Sequence, residues 1–205
     1  MVDGMQIVGE GAEAKVYRSK LLGIEVAVKK RMSKRYRIEQ LDRILRASRT
    51  KTEARILAML AEKNMPVPVP LLVTSNSIYM DWIGGQKLSD ILGNVKTAKH
   101  FLEESGSILG KLHGANVCHG DYTPANLIAS GGKLRVIDFG LASVTNSIED
   151  KALDILLMKR AIPKTLYSAF LAGYTKSSKN YLIILEKLKE IELRGRYQTR
   201  TLSSN

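Results

Sequence analysis

The chain has 205 residues, 44% hydrophobic and 25% charged, with a formal net charge of +12 at pH 7. That balance excludes a disordered chain, and the length suits one domain or one two-lobed unit burying about 70% of its unfolded surface. No apolar run reaches the roughly 18 residues of a membrane span, and MVDGMQIVGEG lacks the basic-then-apolar layout of a secretory signal.

The single Cys118 excludes an internal disulfide and a cysteine zinc site, and a cytoplasmic protein is expected. The positive charge points to a polyanionic partner, RNA first, with a solvated basic surface as the equal rival. Along the chain, MQIVGEGAEAKVYRSK and LLGIEVAVKKR alternate apolar and polar residues around a turn at Leu22-Gly23, which predicts strands. A long helix is predicted from Ile38 to Lys63, with Leu41, Ile44 and Leu45 on one face and Ile56, Leu57 and Leu60 on another set of turns. NMPVPVP is expected to end it, since proline lacks an amide donor and restricts the residue before it. LLVTS and SIYMDWI predict a second hairpin, after which Gly84-Gly85 lets the backbone change direction. Helices follow at Leu88 to Leu92, Ala98 to Gly114, Ile148 to Ala161, Lys164 to Tyr174 and Asn180 to Glu192, interrupted by strands NLIAS and KLRVIDF around Gly131-Gly132. A strand-rich first part thus meets a helix-rich second part, and ligands favour the clefts between such parts.

The chemistry concentrates in CHGDYTPANLIASGGKLRVIDFGLAS, Cys118 to Ser143. Asn126 and Asp138 offer hard oxygen ligands that suit Mg²⁺, which binds few protein groups and fills its shell with water and phosphate. Asp121 could accept a proton from an attacking hydroxyl or water. With the Asp-Phe-Gly of Asp138 to Gly140, the segment resembles the catalytic and metal-binding segments of protein kinases.

That resemblance implies further parts. GEGAEAKV fits a glycine-rich phosphate loop through Gly9, Gly11 and Val16, and the strand after it disfavours the rival dinucleotide fingerprint, which needs a helix. VAVKK supplies Lys29 for the α- and β-phosphates of ATP, since alternation turns Lys30 to the other face. Glu53 is the carboxylate expected opposite Lys29, in preference to Glu39 and Glu62. In SIYMDWIGG, Met80 is implied behind the adenine, with the Asp81 carbonyl and Ile83 amide on its edge, and Val16, Ala27 and Ile128 around the ring. Each of these apolar residues reads equally well as core. The implied fold is α+β, a protein-kinase-like two-lobed fold. A small antiparallel-sheet N-lobe with one long helical region spans 1–83. A reduced, mainly helical C-lobe carrying the catalytic hairpin spans 84–193, and a basic flexible tail spans 194–205.

Departures narrow the family. His119-Gly120-Asp121 lacks the usual arginine that holds a phosphorylated activation segment, no Ala-Pro-Glu follows, and Ala14 replaces the third loop glycine. With GAEAKVY, KKRMSKRYRIEQLDRILRASRTKTEARIL, HGDYTPANLI and EDKALDILLMKRA, the chain resembles the small archaeal form of the KEOPS-complex atypical serine/threonine kinase/ATPase over nearly its whole length. The resemblance implies ATP and Mg²⁺ as cofactors and a role in threonylcarbamoyladenosine modification of tRNA. It also implies two partners, a tRNA threonylcarbamoyltransferase subunit on the C-terminal lobe and a small regulatory subunit on the N-terminal lobe. Direct contact with tRNA is left open by a tail, RGRYQTR, less basic than the family's. Asp154, with Asp150 as rival, is implied to bond the catalytic loop, and His119 to buttress it. His100 and His113 read as ordinary helix residues and Cys118 as a buried small hydrophobe. KKRMSKRYR holds six cations from Lys29 to Arg37, which could line a phosphate or RNA path or form a solvated helix entry. A RIO-like ribosome-assembly kinase, a small-molecule phosphotransferase and an ATP-binding scaffold without turnover are the competing readings.

Overall fold

The computed structural model describes the backbone of residues 2–34 and 36–202 and the side chains of 4–34 and 36–194. In chain order the elements are β1 Val2–Glu10, β2 Ala14–Leu21, β3 Ile24–Arg31, α1 Glu39–Glu62, β4 Pro70–Val73, β5 Ser77–Asp81, β6 Gln86–Lys87, α2 Leu88–Ile91, α3 Val95–Gly114, β7 Val117–Cys118, β8 Leu127–Ser130, β9 Lys133–Val136, β10 Ser143–Val144, α4 Ile148–Ala161, α5 Tyr167–Ser177 and α6 Tyr181–Leu202. Two compact units result, one of residues 1–85 with 130–141 and one of 86–129 with 142–205. None of the described helices is long and apolar enough to cross a membrane.

The first unit is an antiparallel sheet in the order β1-β2-β3-β5-β4 together with α1. Leu22 and Gly23 close the β2–β3 hairpin at φ 51° and 83°, and positive φ at both central residues matches the right-handed twist of paired strands. Leu21 pairs with Ile24 and the register runs unbroken to Ala14 opposite Arg31. Pairing also sets faces. Val16 lies opposite Lys29 and Ala27 opposite Met80, so these side chains share one face with Arg31, while Lys30 takes the other.

The long helix departs from expectation at both ends. Its stop is not the work of the prolines. Met65 N–H donates to the Leu60 carbonyl, Asn64 N–H donates to that of Ala61, and Asn64 sits at φ 54°. This is a Schellman cap with asparagine in the left-handed position. Ile56, Leu57 and Leu60 are buried, whereas at the other end Leu45 is half-buried and Leu41 and Ile44 are 50% and 57% exposed.

In the second unit α3 and α5 pack backbone to backbone. A Cβ on Gly106 would lie 1.9 Å from the Phe170 carbonyl oxygen, and one on Gly173 would lie 1.8 Å from that of Glu103. No side chain fits at either place. Leu102, Leu109, Leu112, Phe170 and Tyr174 are fully enclosed in this unit. The Asn94 side chain accepts from Thr97 N–H at the start of α3, and Ser147 accepts from Asp150 N–H at the start of α4, each satisfying an otherwise orphaned donor. The backbone of α6 continues to Leu202. The side chains of the tail predicted over 194–205 lie outside the described residues from 195 onward.

Candidate active site

Two clusters hold the residues singled out in the sequence, one in each unit. In the first, strand β3 presents Lys29 beside α1. Its Nζ donates to Glu53 Oε1 at 2.5 Å and to Asp138 Oδ1 at 2.6 Å. Lys29 and Glu53 are 6% and 2% exposed, so the pair is withdrawn from water. Glu53 carries a second cation, because Arg31 Nη2 donates to its Oε2 at 2.7 Å. Arg31 escaped the sequence reading, although its position two residues beyond Lys29 in a strand puts it on the same face. Buried at 4% exposure, it also reaches Glu13 Oε2 at 3.3 Å.

Asp138 has φ 63°, a conformation that costs a non-glycine residue about 1–3 kcal/mol and that clusters at functional sites. Its Oδ1 also accepts from Gly140 N–H at 3.2 Å. A Cβ on Gly140 would stand 3.1 Å from both Asp138 Oδ1 and Lys29 Nζ. Glycine at 140 therefore keeps the lysine–aspartate contact uncrowded.

Of the residues predicted around a nucleotide, Gly9 pairs with Val16 across the β1–β2 turn, where Gly11 N–H donates to the Ala14 carbonyl at 2.9 Å. Val16, Ala27 and Met80 lie on the Lys29 face. Asp81 ends β5, where its side chain accepts from Val69 N–H and from Arg135 at 3.3 Å. Ile83 follows in the connecting segment, and Ile128 lies in β8 opposite Lys87.

In the second unit Asn126 Nδ2 donates to both the Asp121 carbonyl and Asp121 Oδ2, each at 2.9 Å. With that nitrogen engaged, the side-chain oxygen is the atom by which Asn126 could hold a cation. Asp138 offers a carboxylate on a side chain 51% exposed. By donor chemistry each of the two, an amide oxygen and an accessible carboxylate, is a hard oxygen of the kind that Mg²⁺ accepts.

The backbone of the loop that leads into Asp121 is anchored by a buried carboxylate. Asp154, 1% exposed, accepts from His119 N–H at 2.7 Å and Gly120 N–H at 2.8 Å. Asp121 N–H donates to His119 Nδ1 at 3.2 Å. His113 is not an ordinary helix residue: its Nε2 is 3.2 Å from Asp154 Oδ2 and its Nδ1 is 2.8 Å from the Tyr174 hydroxyl. An ionised aspartate only accepts, so Nε2 bears the proton and the tyrosine donates to Nδ1. Nothing in His113 itself signalled this, because its partners lie 41 and 61 residues away.

His113, Cys118 and Asp154 come within metal-binding distance of one another. The imidazole and carboxylate are already committed to hydrogen bonds, and burial pushes the Cys118 thiol up to about 12. That trio is a structural network. Burial also depresses the His113 pKa, against the opposing pull of Asp154. Because the folded pKa lies below the unfolded value near 6.5, the unfolded chain binds the extra proton. Its contribution is complete above about pH 6.5 and is lost as pH falls through the folded value. Urea midpoints measured from pH 8 to pH 5 should therefore fall on the acid side, and His113→Gln should flatten that slope.

A protein kinase domain family model matches residues 3–169. Over 216 aligned residues the chain is 38% identical to the KEOPS complex subunit Bud32 of Pyrococcus abyssi, covering 96% of this chain and 98% of that one. It is 36% identical over 200 residues to a probable bifunctional tRNA threonylcarbamoyladenosine biosynthesis protein of Methanocaldococcus jannaschii, covering 93% of this chain and 37% of that protein. Among solved structures, the Rio2 kinase–ADP/Mg²⁺–phosphoaspartate complex of Chaetomium thermophilum matches with a TM-score of 0.67 over 97% of this chain and 72% of that chain. At 16% identity this is a likeness of fold alone.

Proposed function

Because the chain belongs to the protein kinase domain family and, within it, to the family of KEOPS complex subunit Bud32, we propose that it is an Mg-ATP-dependent atypical serine/threonine kinase and ATPase. On this reading it serves as a subunit of the KEOPS complex and supports threonylcarbamoyladenosine modification of tRNA. The observation that carries the reading is Lys29 Nζ held between Glu53 and Asp138. A buried lysine with one carboxylate behind it and a half-exposed one ahead is a fixed positive charge with somewhere to act.

Each residue then has a task. Lys29, braced by Glu53, positions the α- and β-phosphates. Gly9 and Gly11 let the β1–β2 turn cover them, while Val16, Ala27, Met80 and Ile128 surround the adenine. The Asp81 carbonyl and Ile83 amide bond the adenine edge. Asp138 and Asn126 would hold Mg²⁺, which when bound neutralises charge on the phosphate oxygens. Asp121, fixed by Asn126 and by the His119 contact to its amide, orients the nucleophile and takes its proton. Phosphoryl transfer needs chiefly this positioning and charge stabilisation.

With no Ala-Pro-Glu platform for a peptide, the acceptor is water or a hydroxyl presented by a partner, and hydrolysis is coupled to the transferase. Residues 1–83 serve as N-lobe and 84–193 as C-lobe. The transferase subunit covers the C-lobe, where Leu182 and Ile183 are 64% and 57% exposed. A small regulatory subunit covers the N-lobe, supported by the uncovered Leu41 and Ile44. The compartment is the cytoplasm. Calorimetry should detect ATP uptake that vanishes without magnesium, and phosphate release should rise when the transferase subunit is added. No magnesium-dependent uptake would overturn the reading.

A further inference from the structure

The charges between the glycine-rich turn and the start of α1 do not balance. A shallow hollow is lined by Glu13, Arg31, Met32, Lys34, Arg37, Arg46 and Arg49. Among the described residues Asp42, Glu13 and a Glu53 shared with Lys29 answer these five cations. Asp42, 2% exposed, accepts from Arg46 Nε at 2.7 Å and from Lys34 N–H at 3.3 Å, and stands 3.7 Å from Arg37. Glu13 joins Arg31 to Arg49. Glu53 is already shared between Arg31 and Lys29.

Arg31 is itself fixed and dry, its side chain 5% exposed, whereas Glu13 and Arg49 are 39% and 42% exposed. A buried guanidinium aimed into a concave, cation-rich space is the arrangement that accepts an oxyanion, because planar N–H forks match phosphate oxygens. The exposed carboxylate is the group free to leave. We propose that this hollow is a phosphate-binding site, and that the Glu13 carboxylate is the stand-in which an incoming phosphate displaces from Arg31 and Arg49.

Displacement has a mechanical consequence. Glu13 lies inside the turn closed by Gly11 and Ala14, and Lys34 Nζ donates to the Ala12 carbonyl of the same turn. The Glu13 bonds therefore tie that turn to β3 and α1, and phosphate in the place of Glu13 releases the tie. Two sources present the required group, inorganic phosphate and the backbone of an RNA. The site stands on these residues and not on the nucleotide reading.

The test is a titration of the full chain with inorganic phosphate at fixed ionic strength, followed by calorimetry, with and without saturating Mg-ADP. The Mg-ADP arm keeps phosphate from entering at Lys29, and the result retains its meaning if no nucleotide binds. Glu13→Gln should tighten phosphate by about tenfold, as expected for removing a like charge at hydrogen-bond range near the surface. Glu10→Gln, whose carboxylate pairs with Lys15 in the open, should change nothing. Arg37→Gln/Arg49→Gln should abolish uptake, with Arg49→Gln alone as the milder variant, since Arg49 touches no buried carboxylate. Equal tightening by Glu10→Gln and Glu13→Gln, or none by Glu13→Gln, overturns the proposal. A parallel titration with a single-stranded RNA 12-mer separates the sources: equal loss in the double variant identifies a backbone phosphate, and unchanged RNA affinity identifies free phosphate.

Discussion

Lys29→Met should lower Mg-ATP turnover by about 10²–10³-fold, the scale for removing one preorganised charge from a transition state, while leaving folded stability within about 1 kcal/mol. The second half of that expectation is the less obvious one. Removing one partner of a buried ion pair ordinarily costs about 3–5 kcal/mol, because it strands the other charge. Here Glu53 is not stranded, since Arg31 Nη2 remains 2.7 Å from its Oε2. Nor is Asp138, which is half exposed and keeps the Gly140 amide. Methionine also fills the aliphatic volume of the lysine stem. Glu53→Gln is the contrasting case. It takes from Lys29 and Arg31, 6% and 4% exposed, the one buried carboxylate they share and leaves them Asp138 and Glu13, whose side chains are 51% and 39% exposed, so it should cost about 3 kcal/mol as well as turnover. Urea denaturation beside a phosphate-release assay checks both. Equal destabilisation by the two variants would mean that Arg31 does not sustain Glu53.

This asymmetry marks what the sequence could reveal and what it could not. Lys29, Asp121, Asn126 and Asp138 were legible because a motif fixes them at short spacing, and Glu53 because a single long helix had to carry a carboxylate to the lysine. Arg31 was hidden by its surroundings: within KKRMSKRYR it looked like one more cation of a phosphate or RNA path or of a solvated helix entry, and only strand alternation distinguished it. His113 was hidden by distance. The α3–α5 contact was hidden because Gly106 and Gly173 matter through atoms they lack, and a missing Cβ leaves no periodicity to read. On α1 the apolar rhythm was correct throughout, yet rhythm says that a face exists and not what covers it, so Leu41 and Ile44 remain exposed where Ile56 and Leu57 do not. The helix stop was assigned to prolines because they are conspicuous, whereas the cap depends on one asparagine in the left-handed region.

Asp154→Ala should destabilise the protein by about 3–5 kcal/mol, the range for breaking a buried charged network. One carboxylate, 1% exposed, takes both the His119 and Gly120 amides and faces His113 Nε2. Alanine leaves the buried His119 and His113 donors without this acceptor, at about 1–3 kcal/mol for each one unsatisfied, while the amide of the exposed Gly120 can turn to water. Asp154→Asn keeps one acceptor oxygen but brings an N–H₂ toward donors, so it should cost about half as much. The functional effect separates positioning from simple loss of fold. Asp154 acts on Asp121 through the His119 backbone, so the folded Asn variant should bind ATP with unchanged KM while kcat falls. If KM and kcat fall together, or if kcat survives in a variant shown to have lost the stability, the loop does not depend on Asp154 for its geometry.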